Sequence, residues 1–488
     1  MKNTFTLIIL LLSLATKAQL TSVASFGSNP GNLNMYKYVP SGIVGTAPLV
    51  VVMHGCTQTA QQAADQTGWN KLADLYKFYV VYPEQKSANN AQTCFNWFLT
   101  ADQDKDQGEN LSIKQMVDQM KTDYTIDNSK VFATGLSAGA AMTEVVCATY
   151  PEVYSGGAVM AGGPYKAATT AFEASAAMNG FTTKTPAQWA ALVTAQNPTY
   201  TGAYPKMVLF HGTMDPVVNI NNLTESIKQW TALHNTDDTY DGLLTDYAGN
   251  TQVVMNSFHT GPGTEVVRSY IISGFGHAIA VDTGSCPQQG GQTATYSYDI
   301  NFHSTYHAAK FFGLIDADAN TLVISGSSGV AAGATSIPYS TQSNVGSTYD
   351  WKVPVAGMVA SGQGSSSILA NFGTNPGYVA VHEITPAGCL NGPEELWVNL
   401  CTCVGIEEMS GSAVSSIYST EYRNLVIKGI TEQNTSIRIY DLLGNEMFRQ
   451  ITSDESVSLQ LPESISAGVY VVEVSGATKL LNKKIIIR

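Results

Sequence analysis

One serine stands in a sequence pattern that can make it a nucleophile. Residues 135–139 read Gly-Leu-Ser-Ala-Gly, after a short apolar run and before a helical pattern. Glycine at both ends permits a very tight strand-to-helix turn that lifts the Ser137 hydroxyl clear of a sheet. The context predicts a catalytic nucleophile. The alternative is an exposed serine in an ordinary glycine-rich turn.

A serine nucleophile needs a histidine base, and the base needs a carboxylate that orients it. On a strand–turn–helix elbow the chain order is serine, acid, histidine. Asp215 follows the apolar run 207–210, and His277 lies in a glycine-rich segment after the run 266–272. We therefore predict that Ser137, Asp215 and His277 form a catalytic triad.

Two backbone N–H groups should stabilise the oxyanion that forms when the serine attacks. One belongs to Ala138, directly after the nucleophile at the start of a helix. The other is expected in the loop 54–58 after an early strand, and we assign it to Cys56. Cys56 can also form a disulfide with Cys94, which would hold this loop.

The seven cysteines leave at least one thiol unpaired or paired between chains. Cys147 lies in an apolar helical pattern and is predicted to be a buried free thiol. Cys401 and Cys403 alternate as in a strand, so at most one of them pairs easily with Cys389. The sequence does not assign a disulfide partner to Cys286.

Two histidines raise the question of a metal site. His303 and His307 share a helix face, a spacing that can bind zinc, but no nearby Glu or Cys completes a ligand set. A helix face packed against a sheet is the preferred interpretation. We expect no metal and no organic cofactor. His234 and His259, in polar stretches, are expected at the surface.

Composition restricts the class of protein that can carry these residues. The chain has 488 residues, 44% hydrophobic and 13% charged, which excludes a mostly disordered chain. The net charge is −13, so we expect no nucleic-acid partner. Residues 412–488 hold 8 basic and 8 acidic groups, so the acidity belongs to the rest of the chain.

The N-terminus predicts export. Lys2 is followed by an apolar run over residues 5–14 and by small residues at positions 16 and 18. This pattern indicates a signal peptide over residues 1–18. A membrane anchor is the alternative, but the run is shorter than the roughly 20 apolar residues that span a bilayer. No later run predicts a transmembrane segment.

Apolar runs alternate with helical patterns through the first three fifths of the chain. The runs are 47–53, 78–82, 131–134, 207–210 and 266–272, and the helical patterns are 60–77, 112–124, 138–149, 222–234 and 303–314. Such alternation predicts a doubly wound α/β domain with a mostly parallel sheet over residues 20–318. The proposed catalytic residues all follow its strands.

Helical patterns disappear after residue 320. Short alternating runs rich in Ser, Gly, Val and Thr predict a small all-β sandwich over residues 321–404. Residues 405–412 are expected to be a linker, and residues 413–488 a second small all-β domain.

Residues 36–316 resemble the polyhydroxybutyrate depolymerase-type esterases, an α/β-hydrolase family close to secreted feruloyl and acetylxylan esterases. The resemblance rests on residues 54–58, 82–85, 94–98, 108–109, 112–113, 135–142, 150–152, 211–215, 229–230 and 276–278. It implies the triad Ser137, Asp215 and His277. Esterases of this kind that act on plant polysaccharide often have Trp two places after the histidine. Ile279 stands there, which is more similar to the polyester-degrading branch.

The two β regions carry resemblances of their own. Residues 321–404, with the Tyr-x-Trp-x-Val-Pro run at 349–354, look like a PKD-like domain. Residues 413–488, with the segments 437–444 and 467–470, resemble the C-terminal sorting domain of type IX secretion. This resemblance implies a secreted or surface-displayed protein that the type IX machinery exports.

Together these features predict a secreted serine esterase that is a monomer and acts on a polymeric or small ester. A polyester of the polyhydroxybutyrate type is the expected substrate. Feruloyl or acetylxylan ester hydrolysis is the alternative, and a non-catalytic surface binding protein is a remote one. Trp97 and Trp189 are candidates for substrate contact, with core packing as the alternative.

Overall fold

The computed structural model describes residues 20–261, 263–315, 322–401, 416–420, 424–441, 444–462, 465, 468–476 and 480–487. The predicted signal peptide, the predicted linker and Cys403 lie outside the described residues. The chain divides into two compact units, Met1–Cys401 and Thr402–Arg488. No helix in the described part of the chain is both long and apolar enough to cross a membrane.

The first part of the larger unit alternates strands with helices. The strands are β1 (Thr21–Val23), β2 (Asn34–Tyr38), β3 (Ala47–Met53), β4 (Tyr79–Glu84), β5 (Ile126–Leu136), β6 (Gly156–Met160), β7 (Lys206–Gly212), β8 (Gly242–Leu244), β9 (Val253–Thr260), β10 (Thr264–Ile272), β11 (Ile279–Val281) and β12 (Ser297–Asp299). The helices are α1 (Ala60–Thr67), α2 (Trp69–Tyr76), α3 (Thr100–Gln103), α4 (Gly108–Asp123), α5 (Ala138–Thr149), α6 (Ala171–Met178), α7 (Pro186–Thr194), α8 (Asn221–Leu233) and α9 (Ser304–Phe311).

Ten of these strands form one sheet in the order β1-β2-β4-β3-β5-β6-β7-β10-β9-β8. The neighbours from β4 through β10 pair in parallel, and β1, β2, β9 and β8 extend the two sides antiparallel. The predicted mostly parallel α/β sheet is therefore confirmed.

The sheet is buried on both faces because its strands are apolar throughout. Along β3, Leu49, Val51 and Met53 join one core, and Val50 and Val52 join the other. This follows from the two-residue period of a strand. The first core is covered by α4, α5 and α8, and the second by α1, α2 and α9.

A glycine divides the predicted helix 60–77 into α1 and α2. Gly68 has φ 77°, and a Cβ atom there would lie 2.5 Å from the backbone nitrogen of Gly291. Only a residue without a side chain fits such an approach in the left-handed region. The turn at Gly68 lets both short helices follow the sheet.

Residues 322–401 form a β-sandwich, the architecture expected after residue 320. Its strands are β13 (Ser325–Gly326), β14 (Gly329–Ala331), β15 (Ile337–Ser340), β16 (Thr348–Lys352), β17 (Met358–Ser361), β18 (Ser367–Asn371), β19 (Gly377–Ile384) and β20 (Leu390–Cys401). They form the four-stranded sheets β13-β15-β18-β17 and β14-β20-β19-β16. Tyr339 and Ile368 of one sheet pack with Trp351 and Val381 of the other.

The smaller unit is a second sandwich with a continuous aliphatic core. Its strands are β21 (Ser416–Thr420), β22 (Asn424–Lys428), β23 (Thr435–Tyr440), β24 (Glu446–Thr452), β25 (Ser456–Gln460), β26 (Gly468–Ser475) and β27 (Leu480–Ile487). They form the sheets β21-β22-β25 and β24-β23-β26-β27. Ile427 and Leu459 of one sheet meet Ile437, Ile439 and Val472 of the other.

Within the larger unit, the α/β region and the first sandwich share a buried interface. A Cys286–Cys389 disulfide joins them, so Cys389 pairs with Cys286 rather than with Cys401 or Cys403. His259, expected at the surface, is buried there. Its ring packs 4.1 Å from that of Trp397, measured between centroids.

An ion pair lies inside the same interface. The guanidinium of Arg268 on β10 contacts Glu395 on β20 at 2.7 Å, and both side chains are less than one tenth exposed. Burial alone would raise the pKa of Glu395, but the charges of Arg268 and Lys310 hold it below its usual value. Tyr247 donates a further hydrogen bond to Glu395 at 2.6 Å. The pair is therefore ionised at neutral pH and fully partnered.

Replacing Glu395 by Ala should destabilise the protein strongly. The change leaves the buried guanidinium of Arg268 with the Glu265 carboxylate and the Tyr270 hydroxyl as partners, which we expect to cost about 3 kcal/mol of unfolding free energy. Urea unfolding of the full chain measures this. The control is Asp118→Ala, which breaks the partly exposed Lys114–Asp118 pair and should cost less than about 0.5 kcal/mol. Equal unfolding free energies for the two variants would contradict a structural role of the buried pair.

Candidate active site

The predicted catalytic residues meet at the carboxyl edge of the parallel strands. Ser137 follows β5, Asp215 follows β7 and His277 follows β10. The loop with Cys56 follows β3, the neighbour of β5. Carboxyl ends of parallel strands share one edge, and ligands of open α/β sheets bind there. The sheet thus brings four loops from distant parts of the sequence to the same edge.

The turn at Ser137 is strained in the way that an exposed nucleophile requires. Ser137 has φ 57° and ψ −119°, and α5 begins at the next residue. Few non-glycine residues adopt such angles, which cost about 1–3 kcal/mol. The backbone N–H of Ser137 donates to the carbonyl of Met160 at 2.9 Å, so β6 holds the turn. The hydroxyl projects from the end of the sheet.

The two flanking glycines allow β5, α5 and β3 to approach each other. A Cβ atom on Gly135 would lie 2.4 Å from the carbonyl of Gly139. A Cβ atom on Gly139 would lie 2.3 Å from the carbonyl oxygen of Met53. Both neighbours are backbone atoms that cannot rotate away. The glycines of the motif are therefore required by contact and not by flexibility.

Asp215 and His277 form a close pair. The Nδ1 atom of His277 lies 2.7 Å from Oδ2 of Asp215, whose side chain is fully buried. The amides of Val217 and Val218 donate to Oδ1 of Asp215 at 2.8 and 2.9 Å. Burial would raise the pKa of the Asp215 carboxyl, but the hydrogen bonds and the His277 charge lower it overall. The carboxylate can therefore hold the imidazole in one orientation.

His211 contacts the loop that carries Asp215, a role that was not predicted from the sequence. Its Nε2 atom lies 2.8 Å from the carbonyl of Val218 and 3.7 Å from Oδ2 of Asp215. Burial lowers the pKa of His211 below its usual value. A neutral imidazole donates one N–H, here to the Val218 carbonyl. The signal in the sequence was its place at the end of β7, four residues before Asp215.

The Ser137 side chain makes no hydrogen bond with the described residues, His277 included. It lines a pocket of about 390 Å³. The other lining residues are Cys56, Thr57, Gln92, Cys94, Trp97, Phe98, Ala138, Ala141, Gly162, Gly163, Ala167, Ala174, Ala177, Met178, Val217, Val218, Asn222 and Tyr296. None of these side chains carries a formal charge. The pocket suits a neutral, largely apolar group.

Two amides beside Ser137 have no intramolecular acceptor in the described part of the chain. They belong to Cys56 and Ala138, and both residues line the pocket. The Ala138 amide stands at the first position of α5, where helix N–H groups point outward and the helix dipole favours negative charge. The two residues predicted to supply oxyanion donors therefore line the same pocket as Ser137.

The predicted Cys56–Cys94 disulfide is present and fixes the Cys56 loop. Beside it, the amide of Thr57 donates to the carbonyl of Gln92 at 2.7 Å. The residues on both sides of the disulfide, Cys56 with Thr57 and Cys94 with Gln92, line the pocket. The loop after β3 is therefore held to the segment that carries Trp97.

Glu109 on α4 anchors the same segment, a function that sequence reasoning missed. Its carboxyl group accepts hydrogen bonds from the amide of Asn96 at 2.7 Å, the side chain of Asn96 at 2.6 Å and Gln85 Nε2 at 2.5 Å. Burial and the nearby Asp102 raise the pKa of Glu109 to about 8. Residues 108–109 contributed to the family resemblance, but nothing in the sequence indicated that Glu109 would hold this segment.

The two predicted substrate-contact tryptophans differ. Trp97 lines the pocket. The prediction that Trp189 on α7 contacts the substrate is wrong, because its side chain is fully buried. Its indole N–H donates to Glu225 at 2.6 Å, which ties α7 to α8. Trp189 is a packing residue.

Three further histidines hold parts of the fold together. His54 accepts the amide of Gln85 at 3.0 Å and lies 2.7 Å from the carbonyl of Gly55, so it stabilises the turn after β3. His303 and His307 are both buried, and the ring of His307 stacks on Phe302. The described residues contain no group of three or more His, Cys, Asp or Glu side chains suited to a metal ion.

Replacing Gly139 by Ala should lower activity strongly by displacing the turn at Ser137. The added methyl group would collide with the Met53 carbonyl, so α5 must move away from β3. We expect the rate for a soluble ester to fall at least about 100-fold, because small misplacements of catalytic groups have effects of this size. Gly329→Ala is the control, since a Cβ atom there meets nothing within 4 Å. Initial rates and circular dichroism compare the two, and an active Gly139→Ala protein would contradict the contact argument.

Family models match three segments of the chain. Residues 33–252 match the esterase PHB depolymerase family, residues 317–395 a PKD-like domain and residues 419–488 a secretion system C-terminal sorting domain. The sorting domain, of the type IX system, indicates an extracellular or cell-surface protein. The first match contains Ser137 and Asp215, whereas His277 lies beyond its end.

Individual relatives agree with the first match. The chain is 46% identical over 308 residues to poly(3-hydroxyalkanoate) depolymerase C of Paucimonas lemoignei, covering 63% of this chain and 73% of the relative. It is 35% identical over 272 residues to feruloyl esterase B of Talaromyces stipitatus, covering 54% and 74%. The solved acetyl xylan esterase from Aspergillus awamori aligns with a TM-score of 0.52 at 26% identity, over 61% of this chain and 100% of the other. The chain belongs to the esterase PHB depolymerase family and is a carboxylic ester hydrolase.

Proposed function

We propose that this protein is an extracellular serine hydrolase that cleaves the ester bonds of an aliphatic polyester. The observation that carries the proposal is the contact between His277 and Asp215 at the sheet edge where Ser137 opens into an uncharged pocket. A buried carboxylate beside a histidine, with a serine that lines a pocket, is the arrangement that nucleophilic acyl transfer needs.

The reaction begins when the Ser137 hydroxyl attacks the ester carbonyl. His277 takes the serine proton through Nε2, while Asp215 keeps the proton on Nδ1 and stabilises the imidazolium. In many serine hydrolases the serine–histidine hydrogen bond tightens only when substrate binds. The amides of Ala138 and Cys56 bind the oxyanion of the tetrahedral intermediate.

Collapse of this intermediate breaks the bond to the alcohol oxygen. His277 gives its proton to that oxygen, and the acyl group stays on Ser137. A water molecule then loses a proton to His277 and attacks the acyl carbon. The bond between the acyl carbon and the Ser137 oxygen then breaks, and His277 returns the proton to that oxygen, so the serine hydroxyl is restored and the acid is released.

The character of the pocket supports an aliphatic substrate. Its lining has no formal charge, and Ala141, Ala174, Ala177 and Met178 supply much of its wall. A hydroxyalkanoate unit is neutral and apolar apart from its ester. The relative named for polyhydroxyalkanoate is also more similar to this chain, at 46% identity, than the feruloyl esterase, at 35%.

Hydrolysis of feruloyl or acetyl esters of plant polysaccharide is the second candidate. The structural alignment with an acetyl xylan esterase covers the whole of that chain. Trp97 lines the pocket and could stack on an aromatic acid. A direct comparison of substrates decides between the two.

Ser137→Ala should remove ester hydrolysis and leave the fold intact. The triad acts as a unit, so the expected loss of kcat is about 10⁴-fold or more. Rates on a chromogenic short-chain ester measure it, with circular dichroism as the test of folding. Turnover within tenfold of the unsubstituted protein would exclude Ser137 as the nucleophile.

The substrate proposal predicts an order of rates for the full-length protein. Soluble hydroxybutyrate oligomers and polyhydroxybutyrate film should release acid faster than methyl ferulate or acetylated xylan releases ferulate or acetate. Acid release under matched conditions is the measurement, with Ser137→Ala as the blank. Faster hydrolysis of either plant ester would instead establish the second candidate.

Residues 413–488 should be needed for export and not for hydrolysis. All proposed catalytic groups lie in the larger unit, and the segment matches a sorting domain from residue 419. Deleting it in the native host should retain the enzyme inside the cell envelope with full activity in a lysate. Fractionation and activity assays test this, and normal export of the shortened protein would contradict it.

A further inference from the structure

A second cavity, of about 420 Å³, lies where the α/β region meets the first sandwich. Its volume is in the range of small-molecule binding sites. Its walls come from four segments of the larger unit, at residues 248–252, 282–289, 300–301 and 388–390. We call this cavity the seam cleft. It is separate from the Ser137 pocket, because the two cavities share no lining residue.

Primary amides dominate the lining of the seam cleft. Five of its twelve lining residues are Asn or Gln, and Thr251 and Asp282 add a hydroxyl and a carboxyl group. Asp282 is the only lining residue with a formal charge. An amide side chain both donates and accepts hydrogen bonds. The seam cleft therefore suits a neutral ligand that also does both, in contrast to the largely apolar Ser137 pocket.

Some of these polar groups have no partner within the fold. Gln288 is 8% exposed, and its Oε1 atom accepts no hydrogen bond from the described residues. A buried carbonyl without a donor is unfavourable unless a ligand or a water molecule satisfies it. The exposed side chains of Thr251 and Asn301 also make no hydrogen bond with the described residues. The cleft thus has hydrogen-bonding groups that the protein itself leaves unused.

Covalent and polar links hold the walls of the seam cleft in place. Cys286 and Cys389 lie in two of the wall segments and form a disulfide. The Nδ2 atom of Asn250 donates to the carbonyl of Ile300 at 2.5 Å, which joins the other two segments. A cavity that is held in this way loses little binding free energy in ordering its walls.

The seam cleft lies at the sheet edge that carries the catalytic loops. Val253, the first residue of β9, pairs with Ile272, the last residue of β10. The wall segment 248–252 therefore lies at the carboxyl end of β10. The side chain of Gln252 donates to the carbonyl of Ser273 at 3.2 Å, at the start of the loop that leads to the catalytic histidine.

Strand β12 separates the seam cleft from the Ser137 pocket. Tyr296, just before β12, lines the pocket, and Ile300, just after it, lines the cleft. Four residues of extended chain span at most about 14 Å. The two cavities are therefore neighbours, and a polymer bound in the cleft would pass close to the pocket.

The chemistry of the lining excludes several classes of ligand. A phosphate or carboxylate ligand would meet Asp282, and no Lys or Arg is among the residues that line the cleft. A divalent cation would find a single carboxylate where it needs several oxygen ligands. The repeating unit of an aliphatic polyester has ester oxygens but no N–H or O–H group, so it would leave Oε1 of Gln288 unpaired.

We propose that the seam cleft binds a neutral sugar unit of a polysaccharide. Each hydroxyl of a sugar donates and accepts hydrogen bonds, as the amides of the lining do. The aliphatic side chains of Ile300 and Leu390 offer apolar contact to the C–H groups of the ring. This binding goes beyond the proposed ester hydrolysis and does not depend on it. It would hold the enzyme on a polysaccharide with the Ser137 pocket close by.

A peptide also has both donors and acceptors, but the walls do not favour it. Extended peptides gain much of their affinity by adding a strand to the edge of a sheet. Among the residues that line the cleft, only Leu390 belongs to a strand. Loop side chains around a closed space suit a compact ring better than an extended backbone.

Binding is tested on the full-length Ser137→Ala protein, so that no ester is consumed. Isothermal titration calorimetry compares xylohexaose, cellohexaose, maltohexaose and acetylated chitohexaose, and the sugar that binds identifies the source of the polysaccharide. We expect at least one of them to bind and hexagalacturonic acid not to bind, because its carboxylates would meet Asp282 without a cation. No binding by any neutral sugar, or equal binding by the acidic one, would overturn the proposal.

Substitutions in the wall locate the binding. In the same protein, Thr251→Val/Asn301→Gly should weaken sugar binding at least roughly tenfold, because two side chains lose their hydrogen bonds to the sugar. Glycine replaces Asn301 because its φ is 56°.

The matched control for these substitutions is Thr46→Val/Asn434→Gly. Both of its residues are exposed and lie outside the cleft, and Asn434 has φ 60°. The control should bind like its parent, with urea unfolding as the test that both variants are folded. Equal affinities of the cleft variant and the control would refute the assignment of the sugar to this cleft.

Hydrogen exchange provides a second measurement that needs no substitution in the cleft. A saturating sugar should slow amide exchange in residues 248–252, 282–289 and 300–301. Slower exchange confined to residues 162–178, beside Ser137, would place the sugar in the active-site pocket and overturn the proposal. Binding of a neutral peptide of Gly, Ser and Asn in place of every sugar would assign the cleft to peptides and overturn it as well.

Discussion

The contact of α5 with the end of β3 decides where the Ser137 hydroxyl stands. The register pairs Met53 with Gly135, and the Met53 carbonyl occupies the space where Gly139 would carry a side chain. This approach forces the turn into the strained backbone angles of Ser137. All twelve residues of α5 are buried, so hydrophobic packing offsets a strain of about 1–3 kcal/mol.

The other groups of the site depend on this fixed point, since each loop must be held relative to it. The Cys56–Cys94 disulfide and the hydrogen bonds of Glu109 hold the loop after β3 and the segment that follows β4. His211 holds the carbonyl of Val218, and the amide of Val218 holds Asp215. Rigid elements with satisfied polar partners keep the catalytic groups in place.

Sequence reasoning succeeded where one strong local signal determined the structure. The apolar run 47–53 is β3 and the helical pattern 138–149 is α5, with the same bounds. It missed β6, whose Gly156 and Gly157 give a weak strand signal. It placed His259 at the surface because its neighbours in sequence are polar, whereas a second domain buries it.

Local sequence patterns could not predict which distant segments pair with each other. Nothing near Cys286 in the sequence identifies Cys389 as its partner, since several pairings are possible among so many cysteines. The packing role of Trp189 could not be predicted locally either, because its hydrogen-bond partner Glu225 lies on another helix. The positions of Ser137, Asp215 and His277 at one sheet edge could be predicted because the order of residues in a strand–turn–helix sheet limits each of them to one loop, whereas the supporting groups have no such constraint.

The buried carboxyl groups show how environment separates the catalytic acid from the structural ones. Burial raises the pKa of Glu109 and of Glu144 to about 8, since neither has a cationic partner that outweighs desolvation. Glu395 and Asp215 have pKa values below the usual one. The charges of Arg268 and Lys310 lower the pKa of Glu395, and the hydrogen bonds from His277 and from the amides of Val217 and Val218 lower that of Asp215. The partner of Glu395 is Arg268, a permanent cation, so that pair cannot take part in proton transfer. Asp215 alone among these four carboxyl groups faces an imidazole, that of His277. In the proposed reaction the charge of this imidazole appears and disappears, so the Asp215 carboxylate would stabilise a charge that exists only when Ser137 has lost its proton.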